Sequence, residues 1–155
     1  MKKSFFYLLF ISLLFFSCEK EEDNNNPIDI NSSLSCLIDG DNFSTNNVEI
    51  LNTSYPLSIS ATSSLGKVVL NFKLMIPNEG EKIIFSLPDY ARVELNNYIY
   101  SNTYWGPPFE GEVLITEKKN GLISGEFFFK ANDVNTINQI PIYVTQGSFS
   151  NIMYE

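Results

Sequence analysis

Histidine is missing from this 155-residue chain, and cysteine occurs only twice. Without histidine, Ser-His-Asp and Cys-His nucleophiles are excluded. Zinc sites built from closely spaced His and Cys are excluded on the same ground. Basic residues are also scarce, 10 Lys and Arg against 18 Asp and Glu for a net charge of −8, so there is no cationic footprint for nucleic acid. Repulsion from anionic headgroups keeps such a body off a lipid surface unless something else holds it there. The longest apolar run, from Phe5 to Phe16 with only Ser12 interrupting, falls short of the roughly 20 residues that a bilayer-spanning helix needs. Glycine loops of the kind that cradle phosphate are absent, and no stretch after Cys18 carries a helical period of useful length.

What is present begins at the N-terminus. Lys2 and Lys3 precede the apolar run, and no acidic residue appears until Glu19, which is the layout of a secretory signal. Ser17 is small enough for ordinary cleavage, whereas Phe15 is too large. A small residue immediately before Cys18 fits the alternative in which the thiol is acylated. The segment resembles a bacterial lipobox, departing from the usual Leu-(Ala/Ser)-(Gly/Ala)-Cys at Phe15 and Phe16. Residues 1–17 are thus expected to be a lipoprotein signal peptide and Cys18 the lipidated residue; the alternative is an uncleaved anchor dipping into the membrane. Each buried methylene of an acyl chain holds the protein by about 0.8 kcal/mol, so several chains are needed for stable attachment. Residues 18–33 continue through Glu19, Glu21, Glu22, Asp23 and Asn24-Asn25-Asn26-Pro27 with no apolar face to bury, and are expected to form a disordered tether. The acidic cluster resembles the surface-export signal of Bacteroidota lipoproteins. That resemblance implies an outer-membrane protein on the cell surface, with a periplasm-facing lipoprotein as the alternative.

From Leu34 the pattern changes to short runs of period two punctuated by Gly, Asn and Pro, so residues 34–155 are expected to be a single β-rich domain. Leu57, Ile59 and Ala61 alternate with Ser58, Ser60 and Thr62, predicting one buried and one wet face. Val68, Leu70, Phe72, Leu74 and Ile76 share a parity opposite to Asn71 and Lys73, with the same implication. Lys118-Lys119-Asn120-Gly121 joins two long strands, and Ile123, Gly125, Phe127, Phe129 and Ala131 alternate small and large on the inner side of the second. Asn132 to Asn138 reads as polar loop, and Gln146-Gly147-Ser148 as a break in the last strand. Roughly eight to ten short antiparallel strands, mostly in a meander, predict an all-β fold, a β-sandwich or a flattened barrel. Cys36, between Leu34 and Ile38, is expected to pack as a small apolar residue, and with Cys18 lipidated no disulfide remains available.

Several motifs together resemble a known set: the Cys36-Leu37-Ile38-Asp39-Gly40 strand and turn with Phe43 after it, Gly111-Glu112-Val113-Leu114-Ile115-Thr116, Ile123-Ser124-Gly125-Glu126-Phe127-Phe128-Phe129, and Thr145-Gln146-Gly147-Ser148-Phe149. With the anchor and the acidic leash, the chain is similar to small Bacteroidota lipoproteins of the DUF6252 type. That family has no assigned catalytic residues, so the resemblance implies export and anchoring and nothing more.

Chemistry is limited to what carboxylates and rings can do. Glu110 and Glu112 share a strand face and Glu117 and Glu126 lie across the same hairpin, which permits a carboxylate-based hydrolase of the glycosidase kind. Charged residues on the wet side of a sheet account for the same four. Asp39-Gly40-Asp41-Asn42 lacks the spacing of a calcium loop and reads as a turn, so no metal and no cofactor is expected. The rings Tyr98, Tyr100, Tyr104, Trp105 and Phe109, on and beside a loop containing Pro107 and Pro108, either close one end of the sandwich or stack on a glycan or an envelope protein. The sequence reading is therefore a non-enzymatic, outward-facing binding module held to the membrane through its N-terminal lipid. A structural or envelope-assembly lipoprotein without a small ligand is the alternative.

Overall fold

The computed structural model describes residues 31–51, 56–72, 76–86, 89–103, 110–135 and 140–154. Among them lie eleven strands and no helix: β1 (Ser33–Ile38), β2 (Asp41–Thr45), β3 (Val48–Ile50), β4 (Leu57–Thr62), β5 (Lys67–Phe72), β6 (Lys82–Ile84), β7 (Tyr90–Leu95), β8 (Tyr98–Ser101), β9 (Gly111–Lys119), β10 (Leu122–Asp133) and β11 (Ile142–Met153). The expected all-β antiparallel fold is what forms, as one sheet nearly closed into a barrel. Eleven strands is one more than the upper end of the expected range, with β3 and β6 only three residues each.

Hairpins make most of the neighbours, in the order β2-β1-β11-β10-β8-β7-β5-β4-β3, with β9 on the other side of β10 and β6 on β9. β10 is the spine. Its first part pairs β9 while its end, Asn132 and Asp133, pairs Ser101 and Tyr100 of β8. Asn132 and Asp133 are therefore strand rather than loop, and Asp133 is buried. The β1–β11 pair joins the N-terminal hairpin to the last strand, chain segments more than a hundred residues apart.

Asp39-Gly40, Asn96-Asn97 and Asn120-Gly121 have both residues at positive φ, the geometry that two-residue hairpins require. Inward side chains from all the long strands form one core, including Phe43, Phe72, Phe85, Phe127, Phe129 and Phe149. Two glycines fit into it by what they lack. Gly125 pairs Phe149 and Gly147 pairs Phe127, and a Cβ on either would lie 2.6 Å from the opposing ring. Each ring thus occupies the space above the glycine across from it.

Two expectations about alternation need correcting. Ser58, Ser60 and Asn71 are buried, as is Val69, although none of them belongs to the core cluster. Polarity does not report exposure here because Ser58 Oγ donates to Asn71 Oδ1 at 2.6 Å across the β4–β5 pair, so two polar groups satisfy each other. Gln146-Gly147-Ser148 is not a break. β11 runs through it by a bulge, with Thr145 and Gln146 both exposed and Gln146 at φ 51°, after which Gly147 faces inward again.

Candidate functional site

The bulge lies on the outer face of the half-sheet formed by β2, β1, β11, β10, β9 and β6. Strand register places one row of outward residues across these six strands: Lys82, Leu114, Glu126, Ser148, Ser35 and Ser44. Two residues further along the strands a second row runs through Ile84, Glu112, Phe128, the Thr145–Gln146 bulge, Leu37 and Asn42. A trough of about 540 Å³ follows the β6 to β11 part of these rows, and a second depression of about 240 Å³ follows the β11 to β2 part. Gln146 lines both. With neighbouring strands about 4.8 Å apart, the five spacings make a surface of roughly 24 Å.

Why these side chains face out follows from their neighbours. Phe127 and Phe129 point inward, so the ring between them, Phe128, stands on the wet face and is 48% exposed. Glu126 is exposed and has no ion-pair or hydrogen-bond partner among the described residues. Glu112 accepts from Lys82 Nζ at 3.0 Å. Ser148 and Ser35 hydroxyls lie 3.0 Å apart. Beside this surface Tyr143 is half exposed, with Lys130 Nζ 5.9 Å from its ring centroid. The same ammonium donates to Glu110 Oε1 at 2.7 Å, and that hydrogen bond holds Lys130 above its ordinary pKa.

The ring cluster expected from sequence is placed only in part. Tyr98 is 50% exposed at the β7–β8 turn. Tyr100 packs against the core opposite Asp133; burial first, and then the Asp133 charge, push its phenol up from the ordinary value. Cys18, Tyr104, Trp105 and Phe109 lie outside the described residues. The four glutamates do not gather: Glu110 and Glu112 hold different lysines, Glu117 pairs Ser124, and Glu126 shares the trough with Glu112 alone. Among the described residues no three of His, Cys, Asp and Glu group as metal ligands. No helix among them is long and apolar enough to cross a membrane.

The sequence model of a family described as a domain of unknown function (DUF6252) matches residues 31–153. The chain belongs to the DUF6252 family. The match covers every described strand, so this DUF6252 body and its outer-face trough are family territory, while the residues before 31 fall outside it. Comparison with curated proteins and with solved structures returned no match.

Sequence reading had passed over Phe128, Gln146, Ser148, Ser35 and Lys82. One signal was available: an aromatic residue at the wet parity of an otherwise alternating strand. Gln146 carried no such mark, since its placement depends on a bulge that two neighbouring strands impose.

Proposed function

We propose that this DUF6252 protein is a lipid-anchored lipoprotein of the Bacteroidota cell envelope, attached through Cys18 to the outer membrane and facing outward, whose β-body is a non-enzymatic binding module. The observation that carries the binding role is the outer-face trough, where a half-exposed ring, an amide held at positive φ, hydroxyls and an unpaired carboxylate line one surface. A non-glycine residue in the left-handed region costs energy that a purely structural bulge could avoid with glycine, so a glutamine side chain at 146 supports a role in contact. The anchor is supported by Ser17-Cys18 after a short apolar run and by the acidic residues that follow.

The test is made in cells. Feeding an alkyne fatty acid should label the wild-type protein and not Cys18→Ser, and globomycin should halt its maturation. Protease applied to intact cells should then cleave the body. Labelling that survives Cys18→Ser, or a body protected until the outer membrane is opened, would contradict anchor or orientation respectively. The envelope-assembly alternative would gain from a stoichiometric partner captured by cross-linking that variants of the trough leave unaffected.

A further inference from the structure

We infer that the trough takes an uncharged linear glycan lying across the strands. The inference rests on the reading of the body as a binding module and is independent of the lipid anchor.

Shape comes first. The rows cross six strands, so a ligand filling them is extended and roughly perpendicular to the chain direction of the sheet. An extended peptide binds a β-protein most readily by adding a strand at an edge, where main-chain donors and acceptors are free. Here β9, β10, β11 and β1 each have partners on both sides, so their main-chain groups are taken up by the ladders and only side chains face the ligand. The ligand must therefore satisfy side chains alone.

Their chemistry is two-sided. The first row offers the Ser148, Ser35 and Ser44 hydroxyls and the Glu126 carboxylate, groups that bond well to hydroxyls as donors or acceptors. The second row brings the Phe128 ring and the aliphatic Leu37, with the Gln146 amide where the two depressions meet. A pyranose has the matching form, an apolar C–H face that stacks on a ring and a rim of hydroxyls, and a chain of them repeats that form along a line. Charge narrows the class. Lys82 and Glu112 offset each other within the trough, which leaves the Glu126 carboxylate, and with the chain at −8 a uronate or sulfated polymer would be repelled.

The full chain, purified in detergent, is run in native gels containing soluble β-1,4-glucan, β-1,4-xylan, β-1,3-glucan, α-1,4-glucan or β-1,4-mannan, with polygalacturonate as the anionic comparator. Binders are then quantified by calorimetry with oligosaccharides of the same linkage. Retardation by at least one neutral glycan and none by polygalacturonate is expected. Phe128→Ala should weaken binding by about tenfold through the lost stacking. Gln146→Gly should weaken it while keeping or raising the melting temperature, because glycine relieves the positive φ as it removes the amide. That divergence separates contact from structural support. No retardation by any neutral glycan, preference for polygalacturonate, or unchanged affinity in both folded variants overturns the inference while leaving the envelope-module reading to its cellular tests. Glycan binding accompanied by release of shorter chains supports the ligand class and instead overturns the non-enzymatic reading.

Discussion

At the residue scale, the interlock of Phe149 over Gly125 and Phe127 over Gly147 makes a sharp demand on two positions. A methyl at Gly125 would meet not only the Phe149 ring but also the Leu114 carbonyl at 2.7 Å, and at Gly147 the Phe127 carbonyl at 2.6 Å. Rings can rotate away; ladder carbonyls cannot. Gly125→Ala and Gly147→Ala should each cost about 1 to 3 kcal/mol in urea unfolding, and the two together less than the sum because they disturb one ring pair. Cys36 offers a second check. Burial pushes its thiol from 9.0 up to about 12, so the folded protein should resist alkylation at pH 8 and react once denatured. The folded state keeps its proton where the unfolded state has released it. The stability that this proton contributes is accordingly full below pH 9 and is lost as pH climbs toward 12, by at most about 1.4 kcal/mol per pH unit, and Cys36→Ala should remove that share of the alkaline loss.

At the element scale, β4 and β5 show why alternation misled. Polar residues at every second position predict a wet face, yet Ser58 and Asn71 are 0% and 2% exposed. Their mutual hydrogen bond makes burial tolerable, although Asn71 Nδ2 is left without a partner. Ser58→Ala should therefore cost about 1 to 3 kcal/mol by orphaning Asn71 Oδ1, whereas Ser58→Ala with Asn71→Leu should recover most of that loss. A thermal melt of the single and double variants decides it; equal losses would mean the pair contributes nothing jointly. The hairpins were more legible. Asn120-Gly121 announces its turn, and Ile123, Gly125, Phe127, Phe129 and Ala131 all face the core as their parity requires. The bulge at Thr145–Gln146 was not, because it arises from register shifts against β1 and β10 at once, and β1 lies more than a hundred residues away in sequence.

At the scale of the whole molecule, the body is held by pairings between distant segments. β11 lies between β1 and β10, and Ser33 pairs Ser150. A chain ending before Ile142 loses the central strand of its half-sheet and should not fold, giving neither near-UV circular dichroism nor a cooperative melt. Loop closure on this length must precede the contacts that reward it, so refolding should fall in the range of about milliseconds to seconds rather than microseconds. Stopped-flow circular dichroism would show it. The trough belongs to this scale as well. Its first row draws Lys82, Leu114, Glu126, Ser148, Ser35 and Ser44 from six strands, and only the completed sheet sets them in line.

Local pattern alone determined that the chain is all-β, where most hairpins turn, which rings of the Phe127–Phe129 run face inward, and that histidine chemistry is outside its reach. These are properties of residue type and of period two, which act over a few neighbours. The tertiary structure decided the rest: that β1 pairs β11, that Ser58 and Asn71 are buried, and that Gln146 projects onto an outer-face trough. Each of those depends on which strand lies beside which, and pairing across a hundred residues leaves no periodic trace in the order of the amino acids.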